Sequence, residues 1–271
     1  NLPLVPITDL AVKDNALIVA TQGRSLWMID DLTVLHQLLA AGNTSAKTAR
    51  LFDPKDAYRT KGRGGRASLT AGTNLPNGVI THFYLPEGME QDSVVLNYHN
   101  AAGDLLASFS NKAKERKDKL TLTAGANSFV WDTRGTGSEL LPGMIMWWAN
   151  LDGPKAVPGA YKVSMSVGDQ TIATHDFSLM PDPRAEASVA DMQAQYNFIT
   201  AVNTTINDAH NAIKNIRDVN AKLSAFMKKY KGDNAVSDLY TMAKDMKASL
   251  ETVEKALYQT QNRSGQDPLN F

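Results

Sequence analysis

The chain has 271 residues, 43% of them hydrophobic, and its 28 basic side chains equal its 28 acidic ones, so the net charge at neutral pH is zero. That length admits two domains or one large one, and the charge balance argues against an electrostatic binder of nucleic acid or anionic membrane. The absence of cysteine excludes disulfides and thiolate metal or nucleophile sites and fits a bacterial exported protein, and there is no apolar run of about 18 residues to span a membrane.

The first residues, NLPLVPITDL, lack the basic and continuous apolar regions of a signal peptide, as expected of a mature protein or an excised segment. ALIVA (16–20) and SLWMI (25–29) read as two strands joined through Gly23 in a hairpin. Leu32, Leu35, Leu38 and Leu39 then predict one or two helical turns ending at Gly42. Residues 43–78 read as loop. Within them, RTKGRGGR (59–66) suggests either a phosphate- or RNA-contacting loop or a solvated one, and its spacing is not that of a P-loop.

Strands are predicted over 79–85, 93–98, 105–109, 120–122, 128–132, 161–167 and 171–179, with a hairpin turn at Asn100–Asp104. KAKERKDK (112–119) is an exposed loop of mixed charge. The regular spacing of strands and turns predicts an antiparallel sandwich of the immunoglobulin or fibronectin III kind. The aromatic run 144–148 falls inside it. Trp147 and Trp148 either divide between the core and an edge, or form a sugar-stacking or protein-docking patch.

MPDPR (180–184) marks a linker, and Ser188 with Asp191 forms a capping-box-like helix start. A heptad seam follows: Met192, Gln195, Ile199, Val202, Ile206, Ala209, Ile213, Ile216, Asn220, Leu223, Met227 and Tyr230. After the breaker at 232–234, a second seam runs through Val236, Leu239, Ala243, Met246, Leu250, Val253, Leu257 and Thr260. Two such helices, about 188–231 and 234–262, fold back as an antiparallel hairpin. Pairing Met227 with Leu239, Ile216 with Leu250 and Ile206 with Thr260 leaves Met192, Gln195, Ile199 and Val202 without a partner on the second helix. The sandwich, a partner chain or a further helix outside this sequence would have to cover them.

No catalytic, cofactor or metal set emerges. His36, His82, His99, His175 and His210 lack metal-ligand spacing, and His210, near Asp208, reads as a solvated helix residue. Asp132, Asp152, Asp169 and Asp176 each sit beside a turn, and Ser128 and Ser138 lie in no nucleophile-elbow motif.

GRSLWMIDDLTVLHQL (23–38) resembles the closing strand and exit segment of the β-propeller in bacterial sortilin-type proteins with neuraminidase-like (BNR, Asp-box) repeats. LFDPKDAYR (51–59), NLPNGVITHFYL (74–85), FVWDTR (129–134), 141–171 and 182–198 resemble the region after that propeller, and SGQDPLNF (264–271) resembles the point where the family continues. The resemblance implies the C-terminal part of a larger exported bacterial protein whose family carries a glycosyl hydrolase assignment through its repeats. This sequence contains no Asp-box and no position for a neuraminidase's catalytic residues.

The expectation is therefore an α+β multidomain chain. Residues 1–42 form a propeller-closing hairpin and exit segment, 43–181 an immunoglobulin-like β-sandwich, and 182–271 a coiled-coil-like helical hairpin. The expected role is structural or protein-binding, with no cofactor. The expected partners are its own propeller and a protein or second copy on the Met192, Ile199, Val202 seam. A glycan on Trp147 and Trp148 would instead make it a carbohydrate-binding module of a hydrolase. A third possibility is part of a glycosidase or peptidase whose active site lies in the propeller.

Overall fold

The structure is a computed structural model and describes residues 2, 4–42, 47–60, 75–146 and 150–265. The protein is mixed α+β, with three sheets, a long helix and two shorter ones among the described residues. The chain divides into two compact units, Asn1–Gly135 with Lys155–Gln193, and Thr136–Pro154 with Ala194–Phe271.

The first unit opens with an antiparallel meander of β1 (Ile7–Lys13), β2 (Ala16–Thr21) and β3 (Leu26–Ile29). Asp14 and Asn15 both adopt positive φ, 50° and 64°, which matches the twist of a two-residue hairpin loop. The predicted hairpin corresponds to β2 and β3. β1 is an addition to that expectation, although Leu10 and Val12 alternate with Asp9, Ala11 and Lys13 at a strand's period of two.

The short helix α1 (Thr33–Ala40) starts where Asp31 accepts bonds from the Thr33 N–H (2.8 Å) and the Asn15 amide (3.0 Å). Gln37 then exchanges two hydrogen bonds with the backbone of Asp53, and Lys55 pairs with Asp31 at 2.9 Å. These contacts tie the meander and α1 to the larger sheets.

Of those sheets, one has the order β5 (Ala57–Arg59), β11 (Gln170–Pro181), β10 (Gly159–Val167), β7 (Val94–Asn100), β8 (Leu105–Ser110). The other is β4 (Arg50–Leu51), β6 (Val79–Leu85), β9 (Gly125–Trp131). All pairings are antiparallel except β11 with β5. β6 reads VITHFYL, with Val79, Thr81, Phe83 and Leu85 buried and the intervening residues half-buried. β7 places Val94, Leu96 and Tyr98 inward in the same way.

One hydrophobic core takes residues from both sheets, including Phe83, Leu85 and Trp131 from one and Leu96, Tyr98, Val163, Met165 and Leu179 from the other. Its centre is Trp131 stacked on Tyr98, ring centroids 4.5 Å apart, with Phe177 edge-on to both. The Tyr98 hydroxyl and the Thr81 hydroxyl share a buried 2.7 Å hydrogen bond, so neither polar group enters the core unsatisfied.

Two local expectations differ. Residues 120–122 form no strand; buried Leu120 instead donates its N–H to the Ser110 carbonyl. The segment read as loop supplies the short strands β4 and β5. Trp131 occupies the centre of the two-sheet core.

The second unit contains most of α2 (Val189–Lys229) and all of α3 (Ser237–Leu257). The predicted cap is present: the Ser188 N–H and hydroxyl both donate to Asp191 Oδ2, and the Asp191 N–H donates to Ser188 Oγ. On the predicted first seam Ile213 and Ile216 are buried, and Ile206, Ala209, Leu223, Met227 and Tyr230 half-buried. The second seam departs further. Ala243 is buried and Val236 and Leu250 half-buried, but Leu239, Met246, Val253 and Leu257 are exposed. The polar side chains of Lys247 and Glu254 take the inner positions instead, Lys247 donating to Ser224 Oγ (3.2 Å) and Arg217 donating to Glu254 (2.7 Å). Arg217 thus faces Glu254, about one turn further along α3 than the expected match of Ile216 with Leu250.

Tyr98→Phe should destabilise the first unit by about 1–3 kcal/mol, because it strands the buried Thr81 hydroxyl. Thr81→Val combined with Tyr98→Phe should recover part of that loss, and urea denaturation of the double-mutant cycle measures the coupling.

Candidate functional site

A polar concavity of the first unit lies where β9 ends. Trp131 donates its indole N–H to the Arg134 carbonyl (2.7 Å), which turns the chain sharply after the strand. Thr133, at the corner, is buried and holds φ +66°. The Ala156 N–H donates to the Thr133 carbonyl (2.7 Å), which brings Lys155 alongside Arg134. Gly78 is required beneath: at φ +132°, a Cβ there would meet the Trp131 carbonyl oxygen at 2.1 Å.

The resulting cavity of about 170 Å³ is lined by Tyr58, Thr60, Asn77, Gly78, Asp132, Thr133, Arg134 and Lys155. Lys155 donates to the Thr60 carbonyl (2.7 Å) and Arg59 to that of Ala156 (3.0 Å). Burial, then the nearby Arg134 and Arg59 charges, hold the Lys155 ammonium below its ordinary pKa. Burial lowers the Arg59 pKa as well. Only Arg59 and Thr60 of the predicted basic loop lie within the described residues.

A second polar cluster lies in the second unit, where Ser138, Glu139 and Asp152 bond to α2. Gly137 lies so close to the Leu151 carbonyl that a Cβ would approach it to 1.9 Å. Ser138 donates its N–H to the Leu151 carbonyl (2.9 Å) and its hydroxyl to that of Asn203 (3.2 Å). His210 is buried, with Nδ1 2.7 Å from the Glu139 carbonyl, which corrects its reading as a solvated helix residue. Lys214 bonds the Glu139 carboxylate at 2.7 Å, and that bond holds the Glu139 pKa below the usual range. Arg217 bonds Glu254 and lies over the ring of Tyr258, whose hydroxyl accepts from the Ile145 N–H. The cluster is built as a clamp: its charges meet partners supplied by the neighbouring segment.

The remaining candidates are dispersed. Asp132 neighbours Arg134 (3.8 Å) and Asp176 neighbours Lys162 (3.4 Å), while the Asp152 carbonyl accepts from Asn203. His175 lies between Asp53 and the Leu51 carbonyl. No group of three or more metal-binding side chains occurs among the described residues. Trp147 and Trp148 lie outside the described residues. Of the predicted partner seam, Met192 is buried, Ile199 half-buried and Val202 39% exposed.

A broader apolar surface, absent from the sequence-based expectations, lies on the meander. Cross-strand register places Leu10, Val12, Leu17, Val19, Trp27 and Ile29 on one face, and Ala11, Ile18, Ala20, Leu26 and Met28 on the other, where Asp9 and Lys13 of β1 join them. Leu10, Val12, Leu26, Met28 and Ile29 are each about half or more exposed. The signal available in the sequence is the unbroken apolar run in both β2 and β3, which suits a sheet covered on both sides.

Compared with known proteins, the sequence matches no family model and no curated protein. None of the helices described is long and apolar enough to cross a membrane.

His82, half-buried on β6, has a pKa held below its ordinary value of 6.5 by burial, against an opposing pull from Asp31. The folded state therefore takes up the proton later than the unfolded chain, so stability present above pH 6.5 falls as pH drops through that value. The Asp31 pKa is also lowered: burial raises it, but its bonds to Lys55 and Thr33 outweigh that, which adds a loss at more acidic pH. In urea midpoints measured from pH 8 to 5, His82→Gln should flatten the first part of this decline.

Proposed function

We propose that this chain is a non-catalytic structural and protein-interaction region of a larger exported bacterial protein of the sortilin-type, BNR-repeat kind, in which the β1–β3 meander closes a β-propeller. On this reading the five- and three-stranded sheets are an immunoglobulin-like sandwich, and α2 and α3 an antiparallel hairpin. The observation that carries it is the apolar run on both faces of β2 and β3. A propeller blade is a small antiparallel sheet flanked on each side by another blade, so both its faces carry core residues. An isolated sheet with one face on a core would instead alternate apolar and polar residues. The bonds of Gln37 with Asp53 and of Asp31 with Lys55 support the role, since they brace the meander against the following sheets.

Val12→Lys and Met28→Lys test the two faces separately. In this chain alone, each should change stability by within about 0.5 kcal/mol, as exposed substitutions do. In a protein carrying the preceding propeller, each should cost more than about 2 kcal/mol through an unpaired buried charge. Equal small effects in both contexts, measured by chemical denaturation, would reject the propeller assignment.

A further inference from the structure

We propose, independently of the propeller assignment, that the α2–α3 hairpin docks on the hairpin of a second copy of this chain and closes an antiparallel four-helix bundle. Each helix carries two adjacent apolar stripes, and the hairpin uses only one of them. On α3, Ala243 and Leu250 share the side on which Lys247 and Glu254 bond α2. Leu239, Met242, Met246, Val253 and Leu257 fall in a neighbouring arc of about 60° at 3.6 residues per turn. Each of these five is between 46% and 65% exposed. On α2, the seven-residue line Ile213, Asn220, Met227 lies beside Arg217 and Ser224, which bond α3. The next stripe round, Ala212, Val219, Leu223 and Phe226, is half-buried to exposed.

Because the helices run in opposite directions, both second stripes fall on one side of the hairpin. The other side is polar: it carries His210 and Lys214, bonded to Glu139, and Glu251 and Lys255 on the rim of a cavity. A two-helix layer with one polar and one apolar side is half of a four-helix bundle. With 21 residues in α3, the apolar side is about 32 Å long and, across two helices, about 20 Å wide. Two such faces bury about 1,200 Å² together, which reaches the range of specific interfaces.

Charge selects a second copy as the occupant. The outer edge of α2 carries the exposed Lys222 and Lys229, and that of α3 the exposed Asp238 and Asp245. Lys222 also bonds Asp218, and Lys229 lies over the Tyr230 ring, surface contacts that leave both side chains exposed. The bonds of Arg217 with Glu254 and of Lys247 with Ser224 fix the level of the two helices. Carried along the pair, that register sets Asp245 level with Phe226, between Lys222 and Lys229. A two-fold axis parallel to the helices lays α2 of one copy beside α3 of the other at unchanged height. Asp245 of each copy then faces Lys222 and Lys229 of the other, and the contact occurs twice. Charge pairs at the flanks of an apolar seam set partner choice and orientation. Laying α3 against α3 would instead bring the two aspartate edges together.

The test is sedimentation equilibrium of the whole chain up to about 200 µM, a range that covers micromolar association. A dimer is expected. Met246→Lys, checked for native circular dichroism, should weaken it at least tenfold. Asp245→Lys, and the double variant Lys222→Asp with Lys229→Asp, alter only exposed side chains; each alone should dimerise at least fivefold more weakly at low ionic strength. An equimolar mixture of these two variants should form a heterodimer tighter than either homodimer, since both charge contacts are then restored. A monomer at every concentration, as a different protein covering this face would give, would overturn the proposal. So would a dimer unaffected by Met246→Lys, or charge variants that gain nothing on mixing.

Discussion

The stack of Trp131 on Tyr98 is the constraint on which the first unit depends. Trp131 comes from the three-stranded sheet and Tyr98 from the five-stranded one, so their contact sets how the sheets meet. Each ring also carries a polar atom that must be satisfied in a dry interior. Tyr98 meets that need with Thr81 inside the core. Trp131 meets it with the Arg134 carbonyl beyond its own strand, which bends the chain and orients the corner where Arg134 and Lys155 converge. The core and the cation-lined cavity are thus two consequences of burying one tryptophan.

The same economy links the meander to the larger sheets. Asp31 accepts the Thr33 N–H at the start of α1 while it holds Asn15 at the hairpin turn and Lys55 on the incoming chain. A small three-stranded sheet has little independent stability, and this one is braced at one end while both its faces carry exposed apolar side chains. That combination suits a sheet that completes another body and transmits its position to the two larger sheets.

In the second unit, polar contacts decide what the heptad pattern leaves open. Glu139 and Pro142 draw His210, Lys214 and Arg217 of α2 into specific bonds. Arg217 and Lys247 then engage Glu254 and Ser224, which fixes the register of the two helices. Burying a partly screened ion pair contributes little net stability but excludes alternative registers. The displaced apolar residues of α3, Leu239, Met246 and Val253, are exposed as a result.

Local signals in the chain specify the order and kind of most elements. Period-two alternation marks β6 and β10, the linker prolines Pro181 and Pro183 with the Ser188–Asp191 cap mark the start of α2, and Gly232 marks its end, because these signals are set by backbone geometry within a few residues. They do not reveal β1, β4 or β5, whose short or weakly patterned segments become strands only by pairing with partners elsewhere in the chain. Nor do they locate the candidate cavity: Arg59, Arg134 and Lys155 are widely separated along the chain, and only the corner made by Trp131 brings them together. Tertiary structure likewise decides that Trp131 fills the core and that His210 is buried, because burial depends on which segment packs across a side chain and not on the residues beside it in sequence.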